Sequence, residues 1–568
     1  MTVEPDVPVR MNDSATLIPN IGYPTDLSTG QRASGIFPVL LTQDPYVAES
    51  QPQGFYVARG YINAVVQVRG TVNTFGPGGK ALVSDEFGPR QAQDGVALVK
   101  WASHLQGSNG EVGLDGCSYL GIDQIFTAAA AGPHSAIKEI LPACASNGYE
   151  TYFAGGMPSQ IVGLFTAVSS VTLSGPRNAR VNDSYNAARK AQILSGGPQA
   201  YDGTYWRQRT TYYVIPKIVH NHIPALLWSG WYPTDGPGSL LEYAIFQNTY
   251  DHRPPFGPMS PNQPVTGRYQ VVIGPWSHGQ GLDDSIQLEW YDTWLKGEKT
   301  RIAQTDTPMH LYDLQKDDWT NAATYPLTDR YTAFHLGSEG SFRTAKSVRK
   351  AEAGLSWGPP TESGTTTSFD AAPFQSDRLI AGPIAATLWA RSSTSNIDLL
   401  ATLFDVGPNG QATQIAVGNL IGSLRSVNKS YSWFDETGLM VLPYHPYITN
   451  KYAAAGSLQR YDIEMTPTLY TVATGHHLRL VVSTQPATKD CASLLSALKT
   501  PLPCLPTNSQ LATLKGGQFQ LLWGPSTPSS VNVPVLAQDA LPVTTSGTTP
   551  TSNGLIEPLM WSSSRPTQ

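Results

Sequence analysis

The chain has 568 residues, more than a single hydrophobic core organises, so two to four domains are expected. Hydrophobic residues make up 40% and charged residues only 14%, and no apolar run reaches the length of a membrane span, so no membrane partner is expected. The net charge of -6 comes without basic clusters, which sets nucleic acid aside as a partner because neutralising phosphates takes concentrated Lys and Arg.

The first fifteen residues lack both the charged start and the apolar stretch of a signal peptide, so none is expected, and if the protein is exported this chain is its mature form with Met1 added. Residues 35–41 (GIFPVLL) read as a strand running into the loop Asp44-Pro45-Tyr46, and 61–68 (YINAVVQV) repeats that format before Arg69-Gly70. Residues 94–105 read as an amphipathic helix with Asp94 as its N-cap. The apolar-alternating 111–115 then leads into Gly116-Cys117-Ser118-Tyr119-Leu120-Gly121, followed by helix-like sequence from Ile122 to Ala131. This is strand, tight turn, helix, with a serine at the apex and small residues where the two backbones must approach closely. Alternating strands and helices of this kind specify a parallel sheet covered on both faces, with ligands beyond the carboxyl ends of its strands.

From Asn147 to Asn221 the sequence turns aromatic and helix-leaning with no clear strand, as expected of an insertion that caps the sheet. The sheet resumes at 223–228 (IPALLW), running into Gly230-Trp231-Tyr232-Pro233-Thr234-Asp235, and again at 269–273, running into Gly274-Pro275-Trp276-Ser277-His278-Gly279. Residues 286–297 form the closing helix. After Thr305 helical periodicity gives way to short β-rich runs, including 331–336, 384–390, 399–406 and 477–482, the pattern of a β-sandwich, and 543–554 is a loose Thr/Ser/Gly/Pro-rich tail. Cys491 and Cys504 have the spacing of a small disulfide loop in a Pro-rich stretch, whereas Cys117 and Cys144 sit among core-like neighbours and read as buried thiols. With the low charge, these features lead us to expect an extracellular protein, a cytoplasmic one being the alternative.

Three strand-end loops offer Ser118, Asp235 and His278, in the order nucleophile, acid, histidine expected of an α/β-hydrolase. A serine hydroxyl is a poor nucleophile near neutral pH. An imidazole must take its proton, and a carboxylate must hold that imidazole in the right tautomer. For the carboxylate, Asp283 and Asp284 compete with Asp235 because they lie within a few residues of His278. His220 and His222 have metal-ligand spacing without a third ligand nearby and read as a helix-end pair; Gly76 to Gly79 reads as a turn, not a phosphate cradle. No metal or other cofactor is called for.

Several stretches together resemble the cocaine esterase, X-prolyl dipeptidyl peptidase and α-amino-acid ester hydrolase group of serine hydrolases. They are Asp44-Pro45-Tyr46, Arg69-Gly70, GCSYLG around Ser118, GWY at Gly230 to Tyr232, GPWSHG around His278 and WLKG at Trp294 to Gly297; LFDVGPNG, GSLR and GHHLRLVVST farther on resemble the group's C-terminal jelly-roll. The resemblance implies that Tyr46, with the backbone amide of Tyr119, binds the oxyanion. It also implies an aspartate directly after the Gly-Trp-aromatic triplet, where this chain has Pro233 and reaches Asp235 only two residues later.

The expectation is therefore an α/β fold: an α/β-hydrolase core (1–145 and 222–305), a helical cap (146–221) and a C-terminal β jelly-roll (306–568). The expected function is a serine hydrolase that cleaves a small-molecule or peptide acyl ester or amide through an acyl-enzyme, with water as second substrate. An X-prolyl dipeptidyl aminopeptidase is the alternative within the group. Its free amine would need clustered carboxylates, and Glu150, Asp183 and Asp202 in the cap show no such clustering in sequence, which favours a neutral or aromatic acyl group. A rival of another class is a decayed carbohydrate-binding or structural protein, with Pro233 marking the decay.

Overall fold

The computed structural model describes residues 1–46, 51–158, 162, 171–231, 236–279, 281–358, 364–484, 507–538 and 541. Its N-terminal part is built on strands β1 (Thr2–Glu4), β2 (Thr16–Tyr23), β3 (Phe37–Asp44), β4 (Ile62–Gln67), β5 (Ser108–Cys117), β6 (Ile137–Ala143), β7 (Ala225–Gly230), β8 (Tyr269–Gly274), β9 (Met309–Asp313) and β10 (Asp318–Ala322). They join in the order β1-β2-β4-β3-β5-β6-β7-β8-β9-β10, with Val9–Arg10 hooked onto β2. From β4 through β9 every neighbouring pair is parallel, and antiparallel pairs close both edges.

The apolar runs are uninterrupted because the sheet is buried on both faces. In β3, Val39 and Leu41 enter one layer with Leu98 and Ile125, while Leu40 enters the other with Ile286 and Trp290. Helices α1 (Pro89–Ala102), α2 (Tyr119–Ala131), α4 (Ile215–His220) and α5 (Gly236–Tyr250) belong to the first layer and α6 (Asp284–Leu295) to the second. Two boundaries differ from the sequence reading. Helix α1 begins at Pro89, with Gly88 at its N-cap, and Asp94 lies buried within it, paired with Arg69 at 2.6 Å. A long-range ion pair, not capping, explains that aspartate. Helix α6 begins after Asp283, whose carboxylate accepts from the Ser285 amide at 2.8 Å.

Between β6 and β7 lies the helical insertion, with α3 (Val171–Leu194) as its long helix; it also holds a two-residue β-hairpin, Phe153–Ala154 with Met157–Pro158, that the sequence did not announce. The hairpin docks on the C-terminal domain: the Ile421 amide donates to Gly155 O at 2.9 Å, and a Cβ on Gly155 would meet Asn419 O at 2.1 Å. Arg189 ties the insertion to the core by an ion pair with Glu86 at 3.0 Å. Beyond β10 the described chain forms an eight-stranded and a four-stranded sheet enclosing one apolar core, the all-β architecture expected after Thr305. Among the described residues, no helix is long and apolar enough to cross a membrane. Cys491 and Cys504 lie outside the described residues; Cys144 is buried and Cys117 half-buried.

Asp115, in β5, faces the α6 layer and is 4% exposed, accepting from Tyr291 Oη at 2.7 Å and Gln53 Nε2 at 3.2 Å. Burial, opposed by the Tyr291 bond and reinforced by Asp284, raises its pKa from 3.8 to about 6. The unfolded chain releases this proton near 3.8 and the folded protein holds it to about 6, so the native state binds more protons in that window and stability falls as pH rises through it. Asp115→Asn should remove part of that fall, read as a smaller difference in melting temperature between about pH 4 and pH 7 than in the wild type.

Candidate active site

Ser118 stands between the last residue of β5 and the first of α2 with φ 64° and ψ -123°, a strained conformation for a residue with a side chain. Close approaches on either side hold it there. Gly116 has φ 135°, and a Cβ on it would lie 2.4 Å from Leu120 Cβ; one on Gly121 would lie 2.5 Å from Ala143 O in β6. The Ser118 amide donates to that same Ala143 carbonyl at 2.8 Å, while Ser118 O accepts from the Gly121 and Ile122 amides at 2.9 Å each. The glycine spacing thus lets α2 fold back against the neighbouring strand and leaves the serine at the crest.

His278 lies in the turn after β8, and its Nε2 is 2.9 Å from Ser118 Oγ. Close packing with β7 fixes the turn: Trp231 N donates to Gly274 O at 3.1 Å, the Trp276 ring covers Gly274, and Trp276 meets Trp228 edge-on at 6.0 Å. Residues 160 apart in the chain therefore meet within hydrogen-bond distance. Tyr46 follows β3, the strand beside β5, so it too stands at the carboxyl edge. Its amide donates to the buried Asp44 carboxylate at 2.6 Å, and its ring sits edge-on to Tyr119 at 6.4 Å. The Tyr119 amide, at the first position of α2, has no acceptor one turn back within its helix. The Tyr119 side chain points elsewhere, its phenol paired with Gln91 at 2.6 Å.

Asp235 lies outside the described residues. Of its competitors, Asp283 caps α6, and Asp284 faces Tyr56 Oη at 3.5 Å and the Asp115 carboxylate. His220 is the last residue of α4, and His222 occupies a left-handed turn just beyond it. Among the described residues, no group of three or more His, Cys, Asp or Glu side chains could hold a metal ion. Sequence reasoning missed two features. Gln91 anchors Tyr119, and Glu150 and Asp202, taken in sequence as unclustered, line one recess. No spacing signal announces either, because the partners come from separate elements.

The sequence profile of the X-Pro dipeptidyl-peptidase (S15) family matches residues 13–280, and that of the X-Pro dipeptidyl-peptidase C-terminal non-catalytic domain matches residues 302–489. Cocaine esterase of Rhodococcus sp. (strain MB1 Bresler) is 23% identical over 512 residues, covering 73% of this chain and 82% of the esterase. A CocE/NonD family hydrolase from Staphylococcus aureus superposes with a TM-score of 0.73 at 19% identity, over 94% of each chain. An α-amino acid ester hydrolase superposes with a TM-score of 0.69 at 17% identity, over 94% of this chain and 96% of the other.

Proposed function

The chain belongs to the X-Pro dipeptidyl-peptidase (S15) and cocaine-esterase group of α/β-hydrolase serine hydrolases, and on that premise we propose that Ser118, His278 and Asp235 are its triad, acting on acyl esters and amides. The reading of a decayed binding protein gives way to this membership. The contact of 2.9 Å between His278 Nε2 and Ser118 Oγ, made by a serine held at φ 64°, carries the proposal. Ser118 Oγ attacks the substrate carbonyl carbon as its proton passes to His278 Nε2, and the carbonyl oxygen becomes an oxyanion. Tyr46 Oη and the Tyr119 amide donate to that oxyanion. The His278 proton moves to the leaving oxygen or nitrogen, the bond to it breaks, and an acyl-Ser118 ester remains. Water, deprotonated by His278, then attacks this ester; the acid leaves and Ser118 recovers its proton. Asp235 orients the His278 ring throughout.

Hydrolysis of p-nitrophenyl acyl esters beside Gly-Pro-p-nitroanilide, with fluorophosphonate labelling, tests the reading: ester turnover with label on Ser118 is expected, and label elsewhere would refute it. Tyr46→Phe should lower kcat by on the order of 10²-fold with little change in KM, since a donor aimed at developing charge stabilises the transition state more than the bound ester. The X-prolyl dipeptidyl aminopeptidase reading is favoured by the S15 profile over residues 13–280 and by the acidic recess containing Glu150 and Asp202. Turnover mainly of the Gly-Pro amide would select it.

A further inference from the structure

Leu41 of β3 pairs with Leu114 of β5, and the two strands end three residues later, at Asp44 and Cys117. The hydrogen bonds at Asp44 show what turns β3 away from the sheet there. Asp44 stands opposite Gln67 in the parallel ladder with β4, and its carbonyl accepts from the Val68 amide at 3.0 Å. Continued regularly, the ladder would next join the Tyr46 amide to the Val68 carbonyl. That carbonyl is taken by Thr71 instead, whose amide and hydroxyl donate to it at 3.1 and 2.7 Å. Thr71 is 3% exposed and belongs to a turn that closes on itself, the Gly70 amide donating to Thr74 Oγ1 at 3.1 Å and the Thr74 amide to Thr71 O at 3.0 Å. The Tyr46 amide turns to the Asp44 carboxylate, 2.6 Å away.

A side-chain oxygen that accepts from the amide two residues on closes a compact turn, and a proline between them suits it, since its ring fixes φ and it has no N–H of its own to pair. Asp44-Pro45-Tyr46 is that arrangement, with Asp44 0% exposed and Pro45 buried. The turn carries Tyr46 off the ladder and sets its ring edge-on to Tyr119 at 6.4 Å, the planes 74° apart. Tyr119 is the first residue of α2, and Gln91 holds its phenol at 2.6 Å. Both proposed oxyanion donors therefore sit on one packed assembly, and the bond from Tyr46 to Asp44 decides where the first of them leaves the sheet.

We propose that Asp44 is a positioning residue of this hydrolase: by drawing the Tyr46 amide off the β4 ladder, its side chain aims the Tyr46 phenol at the oxyanion. The inference rests on the oxyanion role given to Tyr46 above. Asp44 itself touches no reacting atom, so its effect on the rate should pass wholly through the Tyr46 hydroxyl. A residue that merely supported the end of β3 would behave differently, its loss counting equally whatever stands at position 46. The type of side chain matters for the same reason. An amide or hydroxyl oxygen at position 44 can close the same turn, whereas a methyl group cannot.

A double-variant cycle on p-nitrophenyl ester hydrolysis by the intact protein tests this. Asp44→Ala should lower kcat by about tenfold and leave KM within about twofold, because a misaimed donor is missed more in the transition state than in the bound ester. Asp44→Asn, which keeps an acceptor for the Tyr46 amide, should hold kcat within about threefold of the wild type. In the Tyr46→Phe background the same Asp44→Ala change should cost less than about twofold, since the hydroxyl that Asp44 aims is gone. Should Asp44→Ala fail to fold, Asp44→Thr and Asp44→Val make the same comparison, an acceptor against none in side chains of one shape. Equal losses from Asp44→Ala in both backgrounds overturn the positioning role and leave Tyr46 as a donor. So does Asp44→Asn as slow as Asp44→Ala, or Asp44→Thr as slow as Asp44→Val. Undiminished kcat in Tyr46→Phe alone withdraws the oxyanion role itself, and the inference with it.

Discussion

Ser118→Ala should reduce ester turnover by on the order of 10⁶-fold, and His278→Ala should do nearly as much. The double variant should be no worse than either single one, because a nucleophile without its base and a base without its nucleophile leave the same residual catalysis from binding and the oxyanion donors. This lack of additivity tests the assignment more sharply than the loss itself, since two unrelated structural lesions would add. The serine's backbone offers a second readout. At φ 64° alanine bears the same steric cost as serine, whereas glycine does not, so Ser118→Gly should be as inactive as Ser118→Ala and melt higher. Ester turnover surviving Ser118→Ala would overturn the assignment, as would double-variant losses that multiply.

The elbow was legible in sequence because its constraints are local. A strand, a glycine, a serine and a glycine three positions on leave few ways for α2 to fold back, and the close contacts of Gly116 with Leu120 and Gly121 with Ala143 are the physical content of that spacing. The sheet was legible for a similar reason: strands such as β3 and β7 bury both faces and read as continuous apolar runs. Long-range partners left no such mark. Asp94 has the residue type of an N-cap, yet its place is fixed by Arg69, a neighbour in space from another loop. Glu150 and Asp202 lie 52 positions apart, and Glu464 comes from another domain, so no periodicity brings them together. The place of Pro233 is where the resemblance and the residues disagree, and Pro233 and Asp235 both lie outside the described residues.

Gly230→Ala should disable the site without removing any group that reacts. Gly230 ends β7, and a Cβ built on it would lie 1.8 Å from Trp276 O and 2.6 Å from Trp276 C. Both are backbone atoms, so no side-chain rotation relieves the clash. Trp276 has little room to retreat, with its ring 6% exposed, packed over Gly274 and edge-on to Trp228. Restoring an ordinary contact takes a shift of more than about 1 Å in a turn that carries His278 two residues later, and misplacement on that scale costs on the order of 10²-fold in rate. Overpacking of this kind costs roughly 1–3 kcal/mol of stability as well. Gly354→Ala, with nothing within 4 Å of the added methyl and no positive φ, is the control that should leave rate and stability alone. Titration of active sites with a fluorophosphonate separates the two consequences. If His278 is displaced, the label should reach full stoichiometry slowly while kcat per labelled site falls by the same factor. If the loss reflects only partial unfolding, the labelled fraction falls and each remaining site turns over at the wild-type rate, and the proposed part of Gly230 in setting the His278 turn fails.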